Sequence, residues 1–388
     1  MFKNKDKADV IFLIVIFILL FIPMLHIDKS TYKERENRKL ATYSSFIKEN
    51  NKINKKYSRD LEKYITDRFF GRMLAVNIYC LIRFTLSDRS KSGFIDKKTG
   101  IMYLKNEYTM PELSKIKKGL DGISELNDFC RANKIKLYVL IVPQKSVIYY
   151  SPKIHDIKQA EINKEFKNYV YKVNAEGKYK IVYPDEEMLE AKKYNYMFFK
   201  TDHHWTDDGA FTGYSSVMKY IKNDFPNVKV VKNSDFDYFE NKLIRREFHR
   251  EFKVGRTYEM LGFPHCLRYF YHRTPYRYYR HKNYLKLKRI YNYKFLDHSK
   301  KFRYSEGSDL RVLLIGTSNN ENLTEILPYS FKSVEYIRTN NVKGMNDKDK
   351  YKYMKYYKRK ILTYHPDIMI LCVTYGNIAG LKDMFNEE

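Results

Sequence analysis

A carboxylate, two imidazoles and an indole occupy four consecutive positions, Asp202-His203-His204-Trp205, with Asp207 and Asp208 close behind. The chain holds only ten histidines and one tryptophan, so this convergence invites a chemical reading. In an extended segment, residues two apart project to the same side. Asp202 and His204 then share a face, and His203 turns away. A carboxylate against one imidazole nitrogen fixes the tautomer and leaves the other nitrogen free as a base. Such a base needs a nucleophile. Ser318 stands where one is expected, after the apolar run Val-Leu-Leu-Ile-Gly and before Asn-Asn-Glu-Asn-Leu, which reads as the first turns of a helix. Gly316 permits a tight turn there. Backbone N–H groups at such a turn can stabilise an oxyanion, Ser318 N–H first, with Asn319, Asn320 and Asn377 as further donors. Two other readings compete. Ser-Asn-Asn before a helix also serves as an N-cap. A metal could use His203, His204, Asp207 and Asp208, although the H-x-x-x-H and H-E-x-x-H spacings are absent.

Three apolar runs must position these groups: Lys136–Val142, Leu310–Gly316 and Pro366–Thr374. Alternating with helical segments, they predict a mostly parallel sheet covered on both faces. Ligands of open α/β sheets bind beyond the carboxyl ends of the strands. Those ends are Pro143-Gln144-Lys145, Gly316-Thr317-Ser318-Asn319 and Thr374-Tyr375-Gly376-Asn377, all polar or small, and they predict a pocket without reference to the histidines.

The amino terminus carries an unbroken apolar run from Val10 to Leu25 after a lysine-bearing tail. Sixteen helical residues span about 24 Å, close to a hydrocarbon core. With no small-x-small cleavage pattern, the run predicts a retained, membrane-spanning signal anchor over residues 1–27. Lysines and arginines flank it on both sides, so charge does not orient it. Residues 28–90 read as a juxtamembrane segment and one amphipathic helix, with Leu61, Ile65, Phe69, Met73 and Ile78 at helical spacing. Residues 91–388 form the main domain, with a basic aromatic insertion at about 240–300. The formal charge of +27 suits a polyanionic partner. Cys80, Cys130, Cys266 and Cys372 lie far apart, which excludes a zinc ribbon and leaves two readings, buried free thiols first and a single bridge second.

The block Phe-Phe-Lys-Thr-Asp-His-His-Trp-Thr-Asp-Asp-Gly resembles the defining block of the DHHW family, SGNH-hydrolase-like proteins of bacterial exopolysaccharide O-acetylation, and is similar to that of the alginate acetylation proteins. Flanking segments resemble the family in the same order: Glu-Asn-Arg-Lys-Leu-Ala at 36–41, Asp67, Phe69 and Arg72, then Pro143, Lys145 and Tyr149, then Gly316 to Ser318. The resemblance implies an SGNH-type three-layer α/β/α fold with a mostly parallel sheet behind the transmembrane helix. It also implies a body outside the cytoplasmic membrane of a bacterium. Carried onto this sequence, Ser318 is the nucleophile, His204 the base and Asp202 its orienting partner, with no cofactor or metal. The chain would act as a polysaccharide O-acetyltransferase or acetylesterase, served by an integral-membrane acyltransferase. Thr317 replaces the family's aspartate before the serine, which leaves a catalytically silent polysaccharide-binding or assembly protein as the alternative. Aromatic rings stack on sugars, and cations pair with their carboxylates or phosphates. Lys145, Trp205 and Tyr375, with Arg273, Tyr276 and Arg277 of the insertion, are therefore the expected substrate contacts. A cell-envelope polysaccharide, anionic for such an insertion, fits an extracytoplasmic location; nucleic acid does not.

Overall fold

The computed structural model describes residues 4–25, 27–30, 32–33, 38–47, 50–87, 93–105, 112–151, 157–177, 179–240, 277–294, 297–339 and 347–381. The described chain falls into two compact units, divided between Ile95 and Asp96.

The first unit contains helices α1 (Asn4–Leu25), α2 (Tyr57–Arg68) and α3 (Arg72–Ser87). The expected membrane-spanning helix is not found: among the described residues, no helix is long and apolar enough to cross a membrane. The apolar run does form α1, and its side chains from Val10 to Ile18 are mostly exposed. The single amphipathic helix expected after it is two helices. Extended Phe69 ends α2, and Gly71, in the left-handed region at φ 78°, turns the chain into α3. Around this break Asp67 Oδ2 accepts from Ala41 N at 2.8 Å, and buried Arg68 donates to the carbonyls of Asp28 (2.6 Å) and Ser30 (2.8 Å).

The second unit is built on a seven-stranded sheet. Its strands are β1 (Lys136–Val142), β2 (Lys180–Val182), β3 (Lys288–Lys294), β4 (Asp297–Arg303), β5 (Ser308–Gly316), β6 (Phe331–Arg338) and β7 (Ile368–Thr374), in the order β2-β1-β7-β5-β6-β4-β3. The first five of that order are parallel; β4 and β3 close one edge as an antiparallel hairpin. The three apolar runs of the sequence are its adjacent central strands β1, β7 and β5. Their side chains alternate between two cores, as the period of two requires. Leu140, Leu314 and Ile370 face α8 (Asp207–Asp224), through Ala210, Tyr214, Val217 and Ile221. Val139, Leu313 and Met369 face the opposite core, with Ile123 of α4 (Leu113–Ala132), Phe166 of α6 (Ile157–Glu176) and Ile361 of α10 (Asp347–Tyr364). Burial on both faces is why these strands read as continuous apolar runs. The arrangement is the expected α/β one with a mostly parallel sheet, and the antiparallel hairpin at one edge makes that sheet mixed. Three short helices complete the labelled set: α5 (Lys145–Ile148), α7 (Asp185–Ala191) and α9 (Asn320–Leu323). The helix expected after Ser318 is only this four-residue α9, followed by a 3-10 turn at Leu327–Ser330. Cys80, Cys130 and Cys372 are buried free thiols; Cys266 lies outside the described residues.

Candidate active site

The strand ends β1, β5 and β7 are in register side by side: Thr374 pairs with Val142, and Gly316 with Cys372. Beyond them opens a cavity of about 200 Å³, lined by Pro143, Gln144 and Lys145, Thr317, Ser318 and Asn319, and Thr374, Gly376 and Asn377. His203, Phe198 and Leu104 complete the wall. Gly316 sits where no side chain fits: an added Cβ would lie 2.1 Å from Cys372 O and 1.9 Å from Asn320 Nδ2. This close approach brings Ser318 down onto the sheet end.

The histidine segment reaches the same place by a fold-back. Phe198 bridges Trp205, Phe199 N donates to His204 O at 3.1 Å, and Thr206 N donates to Met197 O at 2.9 Å. Residues 200–204 form the tip. Lys145 fixes that tip from below, its fully buried ammonium donating to the carbonyls of Met102 (2.8 Å), Lys200 (2.9 Å) and Asp202 (2.8 Å). Trp205 anchors its far end with no exposure, Nε1 donating to Asn319 O at 2.6 Å. Full burial of so large an apolar side chain contributes roughly 3 kcal/mol. The indole thereby ties the histidine turn to the serine turn.

Three side chains then form a line. His204 Nδ1 and Asp202 Oδ1 are 2.5 Å apart, and His204 Nε2 and Ser318 Oγ are 2.8 Å apart. Asp202 Oδ1 also accepts from His204 N at 2.8 Å, which locks the carboxylate against its own turn. Burial opposes a charged His204, but the Asp202 charge and hydrogen bond outweigh it and hold the imidazolium above its ordinary value. Arg338 works against this and Glu321 with it. In the sequence Glu321 carries no signal beyond being an acid three residues after Ser318.

His203 differs from expectation. It does not turn away: its ring lies 3.9 Å from that of His204 and forms part of the cavity wall. The two-residue alternation fails because 201–204 is a turn and not a strand. The sugar-binding assignments change as well. Trp205 is core, and Lys145, though it borders the cavity, has its ammonium committed to backbone carbonyls. Tyr375 is fully buried against Phe166, with ring centroids 4.8 Å apart, and does not line the cavity. Arg277 is held by Asp208, Nη2 to Oδ1 at 2.5 Å, and does not reach the cavity wall. Arg273 and Tyr276 lie outside the described residues. Asp207 accepts from Asn322 Nδ2 (2.6 Å) and Tyr279 N (3.0 Å), so the proposed four-residue metal set does not assemble. Asp202, His203 and His204 do bring donor atoms within 4.8 Å of one another, but Asp202 and His204 are already bonded to each other.

Of the oxyanion candidates, Ser318, Asn319 and Asn377 border the cavity, whereas Asn320 is fully buried and donates to Cys372 O at 3.2 Å. Thr317 Oγ1 has no partner among the described residues. Its carbonyl braces the turn instead, accepting from Tyr336 Oη at 2.8 Å and Asn320 N at 3.1 Å.

Sequence comparison adds a domain to this geometry. Residues 98–263 match the SGNH hydrolase-like domain of the acetyltransferase AlgX. The match takes in Asp202 and His204 and ends before Ser318. The probable alginate O-acetylase AlgJ of Pseudomonas fluorescens is 24% identical over 185 residues, 45% of this chain and 45% of AlgJ. The chain thus matches less than half the length of that curated relative. Bacillus cereus PatB1, solved with a sulfonyl adduct, has a TM-score of 0.53 at 16% identity, over 76% of this chain and 100% of that one. A DHHW family protein from Eubacterium siraeum has a TM-score of 0.45 at 12% identity, over 70% of this chain and 90% of that one. The fold is SGNH-hydrolase-like, and the sequence similarity runs to proteins of alginate O-acetylation.

Proposed function

We propose that the chain moves an acetyl group onto a hydroxyl of a cell-envelope polysaccharide through an ester on Ser318. The observation that carries this is the Asp202–His204–Ser318 line opening at the cavity. Ser318 Oγ attacks the carbonyl carbon of an acetyl ester while its proton passes to His204 Nε2. Asp202 stabilises the imidazolium, and Ser318 N–H with the Asn377 or Asn319 amide steadies the oxyanion. Collapse expels the donor's oxygen, which takes the proton from His204. An acceptor hydroxyl then attacks the acetyl-serine, giving its proton to His204, and Ser318 Oγ recovers that proton as it leaves.

In this reading the body lies outside the cytoplasmic membrane, and the exposed apolar stretch of α1 attaches it to the lipid. An integral-membrane acyltransferase hands over the acetyl group, as the family resemblance implies. The strongly basic chain suits an anionic polymer. Hydrolysis of p-nitrophenyl acetate by the full chain in detergent tests the chemistry. Ser318→Ala and His204→Ala are expected to lower kcat by about 10³-fold or more at an unchanged melting temperature. Undiminished turnover in Ser318→Ala would contradict the proposal.

A further inference from the structure

One histidine of the pair is left over by this chemistry. His203 lines the same cavity as Ser318, its side chain about a third exposed (32%). Its Nδ1 is buried and finds no hydrogen-bond partner among the described residues. Asp202 Oδ1 stands 3.5 Å from that nitrogen, beyond good hydrogen-bonding reach but close enough to favour a proton there. The accessible edge of the ring therefore carries Nε2 with its lone pair. Burial first, then the charge on His204 and the Lys145 ammonium, pushes the imidazolium down to about 4, against the pull of Asp202. The ring is neutral whenever His204 is a working base. The cavity thus holds a fixed hydrogen-bond acceptor beside the nucleophile, on the face of His204 that Asp202 and Ser318 do not use.

The reacting hydroxyl cannot be what this acceptor holds, because its single proton must go to His204. A neighbouring hydroxyl can be. We propose that His203 Nε2 accepts a hydrogen bond from the hydroxyl adjacent to the one acetylated, so that the site selects vicinal diols. This inference rests on the acetyl-serine reading above and adds to it the class of acceptor. No proton leaves His203. The acceptor oxygen adds to the acetyl carbonyl carbon, the bond from that carbon to Ser318 Oγ then breaks, and the one transferred proton passes through His204 to Ser318.

Partition of the acetyl-enzyme tests it. The full chain is acetylated with p-nitrophenyl acetate in the presence of ethylene glycol or ethanol, and the acetylated alcohol is measured against acetate. The wild type is expected to favour ethylene glycol over ethanol, corrected for its two hydroxyls, by roughly tenfold, the scale of one hydrogen bond. His203→Phe is expected to erase that preference, so that ethylene glycol and ethanol are acetylated alike per hydroxyl. His203→Gln, which retains an acceptor oxygen, should recover part of it. A wild type with no preference for the diol, or a His203→Phe variant that retains it, overturns the proposal. So does a His203→Phe variant that slows p-nitrophenol release as much as transfer, since the ring would then act only by supporting His204. Absence of any acetyl-enzyme in the wild type would be recognised separately by missing p-nitrophenol release, and would remove both readings.

Discussion

Asp202 and Asp208 stand six positions apart, both buried and each bound to a basic side chain, yet they do opposite jobs. Asp208 faces the Arg277 guanidinium at 2.5 Å and accepts from Tyr279 Oη at 2.8 Å. Its partner never loses a proton, so the pair is a fixed brace between the start of α8 and the strand Arg277–His281. Asp202 faces His204, whose imidazole can gain and lose a proton and whose other nitrogen touches Ser318. A buried carboxylate is structural or chemical according to what its partner can do with a proton. Sequence proximity does not distinguish the two.

Conservative amides break the comparison most sharply. Asp202→Asn is expected to lower kcat for ester turnover by about 10³-fold, because an amide cannot hold the imidazolium or its tautomer. Its melting temperature should change little. Asp208→Asn should do the reverse, costing about 2–3 kcal/mol in urea unfolding because a charged hydrogen-bonded pair is broken. Turnover per folded molecule should stay near wild type. Equal kinetic losses in both variants would contradict the division of labour.

A smaller effect sharpens it. His204 must be neutral to act as a base, so kcat/KM falls as pH drops through its pKa. Burial lowers that pKa, but Asp202 overrides burial and raises it, so the acid limb should lie above the ordinary histidine position. Glu321→Gln removes a raising charge and should move the limb to lower pH; Arg338→Met removes a lowering one and should move it up. A pH profile unmoved by either variant would place the titration on another group.

The central strands, the pocket at their ends and the Asp202, His204 and Ser318 positions could be read from the sequence because each rests on local pattern: apolar runs, strand-to-turn chemistry and a compact motif. What could not be read depended on three-dimensional context. His203 enters the cavity because its segment turns where alternation assumed a strand. Trp205 and Tyr375 look like sugar platforms until the core takes them. Lys145 looks like a cation for substrate until three converging carbonyls claim it. The break at Phe69–Gly71 was hidden because the apolar spacing continues across it.

The most direct test of the account is whether Ser318 carries acetyl. The full chain would be mixed with p-nitrophenyl acetate, quenched in acid within the first turnover, and digested for peptide mass mapping. The account predicts a single acetyl group on the Ser318 peptide, lost in Ser318→Ala. Folded wild-type protein with no adduct there, or with acetyl confined to lysines, would contradict it.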